Sequence, residues 1–325
     1  MPTPTKKIHV YALLLPDSLL LDTVGPVEVL QYANRLGGTR FVMHFVGPEQ
    51  EIDNSIGLPV TVTSLPQQVE KEAWVLVPGM MGEHINLQGT TVNQACSWLS
   101  QHQFERIISV CGGALMLAKA GLLVNKKCTT HYMHIEQLRE LLDEQSVLEN
   151  RLFVQDGKVY TSAGVTAGID LALYLVEQQC GAAICAKIAR RMVLFTRRGA
   201  QDPAQSPYLR HRNHVNEKVL QVQDLIQSEP ARNWSQATLA KHVHCSERHL
   251  SRMFKQQTGM SSKTYLYEIR LALAKQLLQS SNLKIEEVAR RCGFDDPRQF
   301  RRLWARYHNT PPSAFRQKKL TGQPS

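Results

Sequence analysis

Between Ser235 and Arg316 the sequence contains one short unit twice, and few folds accommodate such a repeat. The first copy reads Thr238-Leu239-Ala240-Lys241-His242-Val243, then Ser246-Glu247-Arg248-His249-Leu250-Ser251-Arg252-Met253-Phe254. The second reads Glu287-Val288-Ala289-Arg290-Arg291-Cys292, then Asp296-Pro297-Arg298-Gln299-Phe300-Arg301-Arg302-Leu303-Trp304. Ala240 and Ala289 are 49 positions apart, whereas Leu250/Phe300, Arg252/Arg302 and Phe254/Trp304 are 50 apart, so the second copy carries one extra residue in its turn. Each copy predicts a short helix, a tight turn and a second helix.

The second helix of each copy divides by face. Leu250, Met253 and Phe254 share one side at helical spacing, as do Phe300, Leu303 and Trp304. Arg248, Ser251, Arg252 and Lys255 fall opposite, matched by Arg298, Arg301 and Arg302. Ser246 is the expected N-cap of the first such helix. Asp296 is that of the second, with Pro297 at the first helical position and Gln299 placed to close a capping box. A basic helix face is ordinarily a solvated surface, but two copies of the same polarity argue for a shared polyanionic partner. Ser261 to Ser281 predicts one connecting helix with Leu266, Ile269, Leu273 and Leu277 as its apolar stripe. Its length of roughly 30 Å approaches the ~34 Å between successive major-groove segments on one face of DNA. One chain could thus present two recognition helices to adjacent grooves.

Residues 214–318 resemble the DNA-binding domain of the AraC/XylS family of bacterial regulators. The resemblance rests on Leu239-Ala240, Ser246 to Phe254, Arg270-x-Ala272, Val288-Ala289-x-x-Cys292-Gly293-Phe294, Phe300-Arg301-Arg302 and Pro311-Pro312-Ser313-x-x-Phe315-Arg316. Phe315 stands where the family more often has tyrosine.

Charge supports the same division. From Arg197 onward there are 23 Lys+Arg against 10 Asp+Glu, giving +13; residues 1–196 hold 15 against 18, giving −3, and the two sum to the net +10. Excess positive charge confined to the repeat-bearing part is what phosphate neutralisation requires. Membrane-surface or RNA binding would also use basic charge, but neither calls for this repeat. The seven cysteines are odd in number and form no C-x-x-C pair. With no signal-like N-terminus and no long apolar run, the sequence predicts a cytoplasmic protein with reduced thiols and no membrane association.

The first 196 residues alternate apolar runs with helical patterns. Strands are expected at Ile8–Leu15, Arg40–Val46, Leu58–Thr63, Ala73–Val77, Arg106–Val110 and Val159–Ser162. Helices are expected from about Pro16 to Gly37-Gly38, over Thr91–Gln101, from Cys111-Gly112-Gly113 to Gly121, and over Ala167–Gln179 and Ala182–Thr196. This pattern predicts an α/β domain with a mostly parallel sheet and helices on both faces, followed by an all-α domain. Residues 197–213, with Gly199, Pro203 and Pro207, read as a linker.

In such a sheet, ligands bind at the carboxyl ends of strands. Pro78-Gly79, Cys111 and Ser162-Ala163-Gly164 all end strands, and Ser109-x-Cys111-x-Gly113 has the spacing of a nucleophile elbow. A thiol at a helix N-terminus is expected to have its thiolate favoured by the helix dipole. Cys111 is therefore either a pocket residue or one more small buried cysteine.

Residues from Ile8 to Phe195 are similar to the PfpI-type domain of the class I glutamine-amidotransferase-like superfamily, which forms the N-terminal half of GlxA-type regulators. The motifs are Asp22-x-x-Gly25-Pro26-x-Glu28-Val29-Leu30, Val77-Pro78-Gly79, Val110-Cys111-x-Gly113-Ala114, Leu117-Ala118-x-Ala120-Gly121-Leu122-Leu123, Thr129-Thr130-His131 and Thr161-Ser162-Ala163-Gly164-Val165-x-Ala167-Gly168-Ile169-Asp170. The resemblance implies a flavodoxin-like fold, an acidic Asp22 near Cys111, and backbone N–H groups of Gly79 and Gly112 facing the pocket as an oxyanion hole does. PfpI-type peptidases carry a histidine after the cysteine; this chain has Gly112, and His131 is the nearest alternative base. Without a base beside the thiol, hydrolysis lacks activation.

The reading is a regulator, an activator, whose non-catalytic domain binds a small nitrogen-containing metabolite near Asp22, Gly79, Cys111, Gly112 and His131, with no cofactor. Promoter DNA would meet Arg248, Arg252, Arg298 and Arg302 at base edges and Lys255 and Arg301 at phosphates, with His249, Ser251 and Gln299 on the same helices. The resemblance further implies a homodimer, contact with RNA polymerase and location on the nucleoid. The alternative is a cysteine-dependent amidase, peptidase or hydratase with a DNA-binding tail; a third reading is a dimerisation domain with no ligand. Cys128-x-x-His131-x-x-His134 falls short of the four ligands of structural zinc, so no metal site is expected. His211/His214 and His242/His244 read as polar linker and helix residues.

Overall fold

The computed structural model describes residues 7–37, 39–194, 198–200, 204, 206–208, 210–308 and 310–321. The chain divides into two compact units, Met1–Ala204 and Gln205–Ser325. The expected boundary at 196/197 and several linker residues, Pro203 among them, lie outside the described residues.

In the first unit the strands are β1 (Lys7–Leu13), β2 (Arg40–Gly47), β3 (Glu51–Ile52), β4 (Val60–Thr61), β5 (Thr63–Ser64), β6 (Trp74–Val77), β7 (Arg106–Val110), β8 (Phe153–Asp156) and β9 (Val159–Ser162). Seven of them form one sheet in the order β5-β2-β1-β6-β7-β9-β8. All its pairings are parallel except the β8–β9 hairpin. The helices are α1 (Leu20–Leu36), α2 (Thr90–Gln101), α3 (Gly113–Lys119), α4 (Ile135–Leu141), α5 (Val165–Cys180) and α6 (Ala182–Arg191). Alternate strand residues feed opposite faces. Tyr11, Leu13, Val75, Val77 and Ile107 pack with α2, α3 and α4. Val10, Ala12, Trp74, Leu76, Ile108 and Val110 pack with α1, α5 and α6. The α/β expectation holds, and the strand order reverses between β1 and β6, where a ligand crevice is expected.

Three local expectations differ. The run Leu58–Thr63 is broken: Val60–Thr61 pairs with Glu51–Ile52, and only Thr63–Ser64 joins the main sheet. The edge strand β8 and helix α4 were not expected, because Phe153–Asp156 is too short to show alternation. Ala182–Thr196 is helical to Arg191; Phe195 and Thr196 lie outside the described residues.

The second unit holds α7 (Glu217–Ser228), α8 (Gln236–His242), α9 (Glu247–Thr258), α10 (Ser262–Ser280), α11 (Ile285–Arg291), α12 (Pro297–Tyr307) and α13 (Pro312–Thr321). Pairs α8/α9 and α11/α12 are the two repeats. Ser246 accepts from the His249 N–H at 3.3 Å and Asp296 from the Arg298 N–H at 2.8 Å, as the cap residues predict. Gln299 does not close a capping box; its amide donates to the Tyr267 hydroxyl at 3.0 Å. Left-handed residues sit at equivalent places in the turns, His244 (φ 49°) and Gly293 (φ 82°). One residue separates His244 from its helix cap and two separate Gly293 from its own, which locates the extra residue.

The connecting helix α10 does not present one stripe. Tyr265, Leu266 and Ile269 belong to a core with α7, α8 and α9. Leu271, Ala274 and Leu278 belong to a core with α11 and α12, where Leu273 and Leu277 are only half-buried. Two residues of helix turn the chain by about 200°, so burial switches sides between Ile269 and Leu271. The segment expected as a linker is also anchored: Arg198 pairs with Asp170 at 2.6 Å, and Gln223 and Gln227 donate to the carbonyls of His211 and Tyr208.

A Cβ on Gly293 would lie 2.6 Å from the Ala231 carbonyl oxygen, at a φ that disfavours side chains. Gly293→Ala is therefore expected to lower stability by at least about 1–2 kcal/mol, while His244→Gly should be close to neutral; urea unfolding of the full chain compares them.

Candidate functional site

Loops at the carboxyl ends of β1, β6 and β7 deliver Asp22, Gly79, Cys111 and Gly112 to one place, joined by the loop after β9 and by His131 at the 3-10 turn before α4. Asp22 arrives at the start of α1 and is fully buried. Its Oδ2 accepts the Gly79 N–H at 3.1 Å and its Oδ1 accepts the Val165 N–H at 2.9 Å. The Cys111 thiol supplies a further hydrogen bond. A Cβ on Gly79 would meet Asp22 Oδ2 at 2.8 Å and the Cys111 Cβ at 2.9 Å, so only glycine lets these groups close up. Cys111 itself has φ 55°, the strained elbow that its small neighbours predicted, and Val165, a β-branched residue, has φ 24°.

The electrostatics depart from the expectation of a favoured thiolate. Burial pushes the Cys111 thiol up to about 12, and the charge of Asp22 adds to the effect; a hydrogen bond from the Gly112 N–H opposes it. The seven residues of α3 supply too little field to reverse this. Burial likewise pushes the Asp22 carboxyl up to about 6, against its amide bonds. The expected oxyanion donors are engaged internally, Gly79 by Asp22 and Gly112 by the thiol. A side chain on Gly112 would also begin 2.3 Å from Ile85 Cδ1, so the family's histidine at that position would require buried Ile85 to shift.

The expected base, His131, comes near the thiol, and it is not alone. One donor atom each of Cys111, His131 and His134 lie within 4.8 Å of one another. The short 3-10 turn Tyr132–His134 repeats every three residues and brings the two imidazoles to one side, their ring centroids 5.9 Å apart and their planes tilted by 53°. His134 is buried and His131 half-buried; burial lowers both pKa values, keeping the rings neutral. Thr130 fixes the elbow by donating to the Cys111 carbonyl at 2.7 Å. The i, i+3 spacing of His131 and His134 was the available signal for the second imidazole.

On the second unit, Arg248, His249, Ser251, Arg252 and Lys255 of α9 and Arg298, Arg301 and Arg302 of α12 are exposed. Arg252 lies 3.5 Å from His249 Nδ1, and Arg301 pairs with Glu286. Gln299 is half-buried against Tyr267. Beneath them Leu250, Phe254, Phe300 and Trp304 are fully buried, so the polar faces are held by apolar anchors.

Fold and sites together define a regulator: a parallel α/β domain with an elbow cysteine, joined in one chain to a paired helix-turn-helix domain. Residues 8–178 match the DJ-1/PfpI family and residues 239–318 the family described as "Helix-turn-helix domain". The chain belongs to the DJ-1/PfpI family and carries an AraC-type DNA-binding domain. It is similar to the HTH-type transcriptional regulator GbdR of Pseudomonas aeruginosa, with 29% identity over 96% of this chain and 85% of the relative. HTH-type transcriptional regulator GlxA of Rhizobium meliloti is 25% identical over 94% of each. The isonitrile hydratase of Pseudomonas putida is 30% identical over 52% of this chain and 71% of its own length. Among the described residues no helix is long and apolar enough to cross a membrane.

Two outcomes test the site's electrostatics. Asp22 has its folded-state pKa raised, so its contribution to stability is fully present below its unfolded value of 3.8 and is lost as pH rises through about 6. That loss amounts to about 3 kcal/mol at most; denaturant midpoints across this window should fall in the wild type and not in Asp22→Asn. Alkylation of Cys111 by iodoacetamide near neutral pH should be about 10³-fold slower than that of an unperturbed thiol, as followed by peptide mass spectrometry.

Proposed function

We propose that this DNA-binding transcription regulator is an activator switched by a small nitrogen-containing metabolite, an amino acid or quaternary amine, held beside Asp22, Cys111, Gly112 and His131. Residues 1–196 would serve as sensor and dimerisation domain, 197–213 as linker and 214–318 as reader of operator DNA. The observation that carries the non-catalytic part is the Asp22–Cys111 contact: a thiol that hydrogen-bonds a buried carboxylate and has both neighbouring amide donors engaged is a poor nucleophile. The exposed ring of Tyr132, 4.4 Å from that of His131, offers a π-face suited to an ammonium group. As a reader of bacterial promoters the protein would act in the cytoplasm, on the nucleoid, as a homodimer contacting RNA polymerase.

For DNA, Arg248, Arg252, Arg298 and Arg302 read base edges; Lys255 and Arg301 meet phosphates, with Arg301 leaving Glu286 to do so. His249 and Ser251 border the same face, and Gln299 holds α12 on Tyr267. Catalysis is the second reading, favoured by the convergence of Cys111 with two imidazoles and by the hydratase relative. It requires turnover that disappears in Cys111→Ala.

A thermal-shift screen of the full chain in chelator, against amino acids, polyamines and quaternary amines, tests the sensor. One compound should raise the melting temperature and be recovered unchanged, with the shift weakened in Cys111→Ser; conversion of that compound would establish the enzyme instead. Arg252→Ala should cost about 1–3 kcal/mol on cognate DNA and little on random DNA. An equal loss on both reassigns Arg252 to the phosphates.

A further inference from the structure

We propose that Cys111, His131 and His134 form a three-ligand site for one borderline-soft divalent transition-metal ion, with zinc(II) as its type. The three donors come from two places, the β7–α3 elbow and the 3-10 turn before α4, and their atoms lie within 4.8 Å of one another. Metal–sulfur and metal–nitrogen lengths of about 2.3 and 2.0–2.1 Å give ligand–ligand edges of roughly 3.3–3.7 Å, so closing on an ion needs side-chain movements of only about 1 Å. One thiol with two neutral imidazoles is a donor set that suits zinc and copper and disfavours calcium or magnesium.

His134 is built for this role. It is 3% exposed, and its Nδ1 has no hydrogen-bond partner among the described residues. The Cδ2–Nε2 edge of the ring lies against Gly112 at the elbow, and a hydrogen bond to the Glu83 backbone engages the ring. A carbonyl behind a metal-binding imidazole orients the ring and sharpens its basicity. A bound ion would satisfy a buried acceptor that otherwise costs stability.

Charge also balances. On binding, a metal–sulfur bond forms and the thiol proton leaves to solvent; thiolate and ionised Asp22 together offset the two positive charges of the ion. Asp22, hydrogen-bonded to the same sulfur, is the neighbour that carries the second negative charge. The half-buried His131 and exposed Tyr132 mark the approach from solvent. Three protein ligands leave one coordination position open, so the ion would make the pocket responsive to metal as well as to a small ligand.

The sequence run Cys128-x-x-His131-x-x-His134 is not this site. Cys128 is fully buried with its sulfur 3.7 Å from the Ser146 carbonyl oxygen. The fold replaces it with Cys111, which lies 20 residues from the nearer histidine.

The proposal stands independently of the organic effector, whose screen is run in chelator. Chelator-treated full-length protein is titrated with cobalt(II), then with competing zinc(II). Expected is one cobalt per chain, giving visible d–d bands and a near-ultraviolet thiolate-to-cobalt charge-transfer band that zinc abolishes. Cys111→Ser should lose the charge-transfer band, His134→Gln should weaken binding at least tenfold, and Cys128→Ser should change neither. No charge-transfer band in the wild type, or one that survives Cys111→Ser, overturns the site. So does a band lost only in Cys128→Ser. Unchanged affinity in a His134→Gln protein that melts like wild type also overturns it.

Discussion

A single buried guanidinium, that of Arg270, sits where the two halves of the DNA-binding domain meet. Its Nε donates to the Pro230 carbonyl at 2.8 Å and its NH2 group to that of Arg232 at 2.9 Å. Its charged plane lies 5.7 Å from the Phe294 ring centre. These contacts fall between Ile269 and Leu271, the residues at which α10 hands its burial from the first helix-turn-helix core to the second. Gly293 is part of the same arrangement, since any side chain there would collide with Ala231 and Arg270. The buried charge is tolerated because carbonyls and an aromatic face replace water. The spacing of α9 and α12 follows from it, as the proposed reading of two groove segments by one chain requires.

The sensor domain rests on an analogous polar anchor. Asp22 gathers the N–H groups of Gly79 and Val165 and the thiol of Cys111, three loops from three strands, around one carboxylate. The elbow cysteine, the acidic residue and the two amides of an amidotransferase-like site are thus present, but directed inward. Amides that would hold an oxyanion hold Asp22 and Cys111 instead, and the thiol stays protonated. On the proposed reading, this arrangement would turn a catalytic scaffold into a binding one without changing its fold. The two imidazoles facing the thiol are what remains available to a ligand or a metal ion.

The paired helix-turn-helix was legible because caps, turn glycine and apolar anchors are local signals that agree with one another. Ser246, Asp296, Leu250, Phe254, Phe300 and Trp304 all do in the structure what their spacing implies. The single stripe drawn on α10 failed because a helical wheel presumes one packing partner, and α10 has two. Gln299 was drawn to Tyr267 by a tertiary contact no local rule contains. In the first domain the parallel sheet and the elbow were readable from buried runs ending in small residues. The engagement of Gly79 by Asp22 was not, since it depends on a contact spanning 57 positions. Nor was the arrival of His134 opposite Cys111, because nothing in sequence spacing brings a strand-end cysteine to a later turn.

The most direct test of the account is the spacing of the operator. With a selected operator in hand, about five base pairs, half a helical turn, are inserted between its two half-sites, and affinity is measured for the full chain at fixed salt. Because α10 fixes the two recognition helices on one face, the insertion should reduce binding to that of a single half-site. Affinity that survives the insertion would contradict the rigid pairing, and with it the assignment of α9 and α12 to adjacent grooves.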